Sequence, residues 1–270
     1  MSSPSIHCFL LRKKCVSWSN DSPPCADACI ISASVDFGLS TATPHPNDQN
    51  ANIWKDAEKW LFVTPIQVVD LKETCQTLLW QLPHASSFSF GLLSTTSSLC
   101  SEHLALFLGQ QWLFDDQIDA GLSLIQRNLP SGARIAFVDT LFMVQLGLAR
   151  ERHVTYVPHP EKAIDQALLQ GQVDKLEVPV NPGRTHWAGI QVDLPTHTFC
   201  YRDGYNHGKI ADPEDVELLL WFLASFAVNF TSYRSTSMLA PHQSDGHSCG
   251  IVLLSSLAAE HLSWRAWCWV

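Results

Sequence analysis

Four residues offer the roles that thiol chemistry requires: His186, Asp203, Gln243 and Cys249. A cysteine attacks a carbonyl as its thiolate, so it needs a base to take its proton. It also needs an acid that orients that base, and donors for the oxyanion that develops. His186 to Leu194 alternates around Trp187, Ile190 and Val192, Pro195-Thr196-His197 reads as a turn, and Thr198 to Tyr205 runs back. That pattern predicts a β-hairpin. It places His186 within a residue or two of the level of Asp203, so adjacent strands bring base and acid into hydrogen-bonding reach. Cys249 opens the apolar run Ile251 to Ala259, read as a central helix whose free N–H groups and dipole favour a thiolate at its start. Gln243, six residues earlier, can offer a side-chain N–H to an oxyanion beside the backbone N–H of Cys249. Other uses stay open. Asp203 also suits a turn acid before Gly204, Gln243 a loop amide, and a lone cysteine is more often an inert buried thiol.

The elements that must position these groups follow from the surrounding pattern. Lys175 to Val180 is strand-like, and Glu161 to Leu169 is a short amphipathic helix. Arg134 to Leu148 is apolar enough for either a buried helix or a strand. Asp212-Pro213-Glu214-Asp215 opens a helix running to Phe226, with an Asp cap, a proline in the first turn and acids at the positive end of the dipole. A helical pattern begins at Glu102, continues through Leu113, Ile118, Leu122 and Ile125, and stops at Leu129-Pro130-Ser131-Gly132. Ile53, Trp54, Ala57, Trp60 and Leu61 recur at helical spacing, and Thr74 to Leu82 suits a second short helix. Residues 1–50, rich in Ser, Pro, Asp and Asn, read as a poorly ordered leader.

Composition narrows the class. The 270 residues are 46% hydrophobic and 16% charged, which excludes a disordered chain and allows a sizeable core. A formal net charge of −9 argues against a nucleic-acid or anionic-membrane partner. The start has no basic stretch followed by an apolar one, so no secretory signal is read there. The longest apolar run, Val216 to Val228, falls short of the ~20 residues a bilayer requires. Nine cysteines, an odd number without regular spacing, suit reduced intracellular thiols better than a disulfide framework. His242, His247 and Cys249 crowd too closely for a tetrahedral metal site, and Cys25 and Cys29 lack a second close pair, so neither a metal nor another cofactor is expected.

The ordered motifs resemble the ubiquitin-like-protein-specific cysteine proteases, the family that processes and removes SUMO and its relatives. The likeness is carried by Trp112-Leu113-Phe114-Asp115 with Ile118, Val178-Pro179-Val180-Asn181, His186-Trp187, Tyr201-Arg202-Asp203-Gly204, and Gln243 with Cys249-Gly250 six residues on. It implies an α+β, papain-like fold: a mixed central sheet flanked by helices, with the nucleophile at the N-terminus of a buried helix. It also implies His186 as general base, Asp203 as its orienter, Cys249 as nucleophile and Gln243 as oxyanion donor. Trp112 and Trp187 would form a tunnel around the substrate's terminal Gly-Gly, and Asp115 would contact the body of the modifier. The implied reaction is isopeptide or peptide cleavage after that Gly-Gly, with SUMO or a related ubiquitin-like protein and its conjugates as partners, in the nucleus or cytoplasm. Ser248, Gly204 and Phe114 depart from the family's usual residues. A catalytically inactive relative that binds a ubiquitin-like protein, or a deneddylase or deubiquitinase on the same scaffold, is the alternative. The expected organisation is a leader over 1–50, a helical extension over 51–104, and the protease domain over 105–270.

Overall fold

The computed structural model describes residues 5–8, 33–36, 88–89, 98–99, 112–226, 228, 232–243 and 245–262. The chain divides into two units, Met1–Ile125 with Pro241–Val270, and Gln126–Ala240. In the first unit, β1 (Ser5–Cys8) pairs antiparallel with β2 (Ala33–Asp36), and β3 (Phe88–Ser89) with β4 (Ser98–Leu99). Apart from these four strands, the expected leader, the helices over 52–82 and the rest of the extension lie outside the described residues.

The second unit is built on a mixed five-stranded sheet, in the order β5 (Ile135–Phe137), β6 (Lys175–Val180), β7 (Ala188–Asp193), β8 (Thr198–Arg202) and β9 (Arg234–Ser237). The two inner pairings are antiparallel and the two outer ones parallel. Parallel neighbours need a crossover. The connection from β5 to β6 carries α2 (Phe142–Arg152) and α3 (Ala163–Leu169), and the one from β8 to β9 carries α4 (Pro213–Leu223). The segment 134–148 therefore resolves into both of its readings, a strand and then a helix. Asp212 caps α4, its side chain accepting from the Glu214 N–H at 3.0 Å, with Pro213 in the first turn.

Strand alternation decides which face is covered. Leu176, Val178 and Val180 lie across from Val192, Ile190 and Ala188, and the last strand of the trio adds Phe199 and Tyr201 opposite Val192 and Ile190. All belong to one buried cluster with Phe142 and Leu146 of α2, Leu168 of α3, and Val216, Leu219, Phe222 and Leu223 of α4. Phe222 is the hub, fully buried and edge-on to Phe142, Tyr156 and Phe226 at centroid distances of 5.2, 4.8 and 4.9 Å. On the opposite sheet face Glu177 and Gln191 pair, the Gln191 amide donating to the Glu177 carboxylate at 2.6 Å.

Helices α1 (Asp115–Arg127) and α5 (Cys249–His261) carry the first unit's core. The expected helical run through Leu113 is not found: 112–114 is irregular, and α1 starts at Asp115. The Gln117 side chain accepts from the Phe114 N–H at 2.8 Å, and Asp115 and Asp116 meet the positive end of the dipole, so helix formation is favoured from there. α5 is buried nearly all round, as its apolar sequence predicts. Two glycines let the helices approach. A Cβ on Gly121 would collide with the Leu254 side chain, and one on Gly250 would sit 2.8 Å from Ile118 Cδ1 and 3.1 Å from Leu113 Cβ.

Two substitutions test this packing. Phe222→Ala should cost about 3–5 kcal/mol of unfolding free energy in urea titration, since its three ring contacts cannot all collapse into the void. Gly250→Ala should cost about 1–3 kcal/mol, because Leu113 presents its rigid Cβ and Ile118 is fully buried. The double variant Gly250→Ala/Ile118→Val should recover part of that loss.

Candidate active site

The hairpin register puts base and acid together. Gly189 pairs with Arg202, so Asp203 falls opposite Ala188, and His186 lies two residues before that level. The Nε2 of His186 is 2.8 Å from Asp203 Oδ1. His186 stands just outside β7, on the irregular segment that joins β6 to β7, and not on the strand itself. Gly183 and Arg184 there both have positive φ, 66° and 59°, which a glycine adopts freely and an arginine only under strain. Asn181, at the start of this turn, accepts from the His186 backbone N–H at 3.2 Å. Tyr205 sets its ring at 61° to the imidazole, with centroids 6.1 Å apart.

Asp203 is a turn acid that also bonds the imidazole of His186. Its Oδ1 accepts from the Tyr205 and Asn206 N–H groups at 2.8 and 3.0 Å, and its Oδ2 from the Asn206 amide at 2.9 Å and the Tyr201 hydroxyl at 3.4 Å. Burial works to raise its pKa, but the bonds from His186, Asn206 and Tyr205 outweigh it and hold the carboxyl well below the usual carboxylate range. The acid is thus ionised wherever the imidazole needs an anion behind it. Asp203 engages Nε2 of the ring, which leaves Nδ1 on its other side. Burial, followed by the charge of Asp203, pushes the Tyr201 phenol upward, so it stays a donor.

In the other unit, Cys249 is the first residue of α5 and is buried. Gln243, also buried, donates from Nε2 to the Asp245 carbonyl at 2.6 Å, while its Oε1 has no hydrogen-bond partner. The loop-amide use is therefore realised, with one of the two Nε2 hydrogens engaged by the Asp245 carbonyl. The structure joins His186 to Asp203, and it places Gln243 and Cys249 on one loop and helix start. The two pairs belong to different units. Trp187 is buried in the second unit, and Trp112 is 39% exposed in the first. Phe114 beside it is exposed, and Asp115 is an exposed first residue of α1.

Sequence reasoning missed two supporting groups, Asn206 and Asp245, and quoted Asn181 in a motif without giving it a role. Each is an Asx residue within a turn, where a short polar side chain reaches nearby backbone, and that habit was the available signal. Among the described residues no helix is long and apolar enough to cross a membrane.

The depressed Asp203 carboxyl has a consequence for stability. Its folded pKa lies below the unfolded value of about 3.9, so its contribution is fully present above that pH and is lost as pH falls toward the folded value. Urea titrations from pH 7 to pH 3 should show Asp203→Asn less stable than wild type at pH 7, with the gap narrowing as the pH falls below about 4. A gap that stays constant with pH would contradict the assignment.

No family model matches the chain, and no curated protein matches its sequence. Solved structures do. The yeast C-terminal Ulp1 protease domain, solved in complex with Smt3, the yeast ortholog of SUMO, is 14% identical over 84% of this chain and 87% of its own, with a TM-score of 0.50. The Chaetomium thermophilum Ulp1-like SUMO protease catalytic domain is 14% identical over 81% of this chain and 80% of its own, at 0.44. The Xanthomonas campestris effector XopD, solved bound to ubiquitin, is 23% identical over 53% of this chain and 71% of its own, at 0.35. The first of these carries the conclusion that this chain, a mixed five-stranded sheet with helices and a cysteine at the head of a buried one, has the fold of the Ulp1 protease domain.

Proposed function

We propose that the chain is a cysteine peptidase that cleaves after the C-terminal Gly-Gly of a SUMO-like modifier, releasing it from lysine side chains or from a precursor. The observation that supports this reading most is the 2.8 Å His186–Asp203 bond, made in a protein with the Ulp1 protease-domain fold whose Cys249 heads a buried helix. His186 takes the thiol proton, and the Cys249 sulfur attacks the glycine carbonyl. The resulting oxyanion is held by the Cys249 backbone N–H and the Gln243 amide. As the tetrahedral species collapses, the C–N bond breaks and His186 gives its proton to the leaving amine, leaving a thioester. Water, deprotonated by His186, then attacks the thioester, and the thiol and a free carboxylate are regenerated.

Trp112 and Trp187 are assigned to the walls around the glycines. Indoles on two sides of an extended chain pass a backbone without side chains, so selectivity comes from exclusion as much as attraction. Asp115, exposed at the start of α1, is assigned to the modifier's basic surface. The chain requires no metal or organic cofactor for these steps. The modifier, the conjugates and a nuclear or cytoplasmic setting are parts of the same proposal. A second reading, a module that binds the modifier without cutting it, draws on the Gln243 amide being engaged by its own loop.

Probes made from SUMO, NEDD8 and ubiquitin with an electrophile at the C-terminus decide between them. The SUMO probe should form a covalent adduct with the wild-type chain, and Cys249→Ala should abolish the adduct. Labelling that persists in that variant removes Cys249 as nucleophile. Capture of the modifier without any adduct favours the binding module, and preferential reaction with NEDD8 or ubiquitin reassigns the partner.

A further inference from the structure

Residues 245–248, leading into the nucleophile, are organised around one side chain that the proposed chemistry does not use. Asp245 Oδ1 accepts from the backbone N–H groups of His247 at 2.9 Å and Ser248 at 2.8 Å, and its Oδ2 accepts from the Ser248 hydroxyl at 2.7 Å. Its own backbone carbonyl accepts the Gln243 amide at 2.6 Å. One residue thus touches both ends of the loop, the group assigned to the oxyanion and the residue next to the nucleophile.

Ser248 sharpens the point. A serine in this position before a helix ordinarily turns its hydroxyl to the N–H groups of the first turn. Ser248 makes no such cap, and its hydroxyl is bonded to Asp245 instead. The helix start at Cys249 is therefore not covered by its neighbouring side chain. Resting on the proposed cysteine chemistry, we infer that Asp245 is a positioning residue of the site: it fixes the Gln243 amide as oxyanion donor and draws the Ser248 hydroxyl off the helix terminus where the thiolate and oxyanion form.

The carboxylate is suited to that task because its charge is spent. Burial would raise its pKa, but the His247 and Ser248 N–H groups and the Ser248 hydroxyl lower it below the usual carboxylate range, with His247 Nδ1 a further 3.5 Å neighbour. Three donors on one carboxylate also tie His247 and Ser248 to Asp245. Misplacing a reacting group by an ångström costs about 100-fold in rate, so that tether matters for turnover more than for binding.

The test is a double-mutant cycle in the full chain, with a Gly-Gly-terminated SUMO-amide substrate and separate kcat and KM. Gln243→Ala should lower kcat about 100-fold. Asp245→Ala should lower it at least about 10-fold with KM within about 2-fold, and Asp245→Asn, which keeps an acceptor for the two N–H groups, should recover to within about 5-fold of wild type. The Asp245→Ala/Gln243→Ala pair should lose clearly less than the product of the two single losses, because the amide being positioned is gone while the Ser248 arm remains. Losses that multiply, or a wild-type kcat in Asp245→Ala, overturn the inference.

Amide hydrogen exchange separates this from the proposed function itself. In Asp245→Ala the Ser248 and His247 N–H groups should exchange at least about 10-fold faster while Leu253 and Leu254 are unchanged. If Asp245→Ala fails to fold, Ser248→Ala is read in the same way at His247. Unchanged exchange at these sites overturns the brace, whereas altered exchange in a chain that cleaves no modifier overturns only the enzymatic reading.

Discussion

A carboxylate taken out of water must have its lone pairs filled, and that demand governs the Asp203 half of the site. With its side chain only 1% exposed, Asp203 is kept ionised by five donors, and four of them, Tyr201, Tyr205 and Asn206 twice over, come from the three residues that follow it and the one two before. The imidazole of His186 is the remaining donor. The end of β8 thus builds the acid's surroundings before the histidine arrives, and the histidine is placed by a separate device, the Asn181 side chain at the close of β6. Three neighbouring strands converge on one hydrogen bond, so its geometry inherits the rigidity of the sheet.

Much of this could be read from the chain. Alternation in Lys175–Val180 and from Trp187 to Val192, with Pro195-Thr196-His197 between β-rich runs, gives the two antiparallel pairings and the level of Asp203. Asp212-Pro213 marks the start of α4 because cap and proline act locally, and α5 is legible because a run of apolar residues longer than a strand has few other homes. What local pattern could not supply was competition. Trp112 continues a helical spacing upstream of α1, but the Gln117 side chain and the paired acids make Asp115 the better first residue, and the indole is left exposed. Residues 134–148 satisfied two periods because two elements share them.

The roles of the supporting carboxamides and carboxylate were hidden for a different reason. Asn181, Asn206 and Asp245 act on backbone N–H groups or on neighbours a few residues away, and composition gives such turn residues no distinguishing mark. Ser248 stood out as a departure from the family's usual residue, and the structure gives that departure a partner: its hydroxyl is bonded to Asp245 Oδ2. The polar residue next to the cysteine and the acid three positions earlier form one unit, so they are better understood as a pair than as separate choices.

The contact at Gly250 has an evolutionary corollary. Because the head of α5 lies against Leu113 Cβ and Ile118 Cδ1, position 250 acquires a methyl group most readily where residue 118 loses its Cδ1. Relatives of this chain should therefore show covariation between positions 118 and 250, with any larger residue at 250 accompanied by a valine or alanine at 118. Mutational drift is channelled there by volume, not charge, and the nucleophile's neighbour becomes a record of how closely two helices have been allowed to lie.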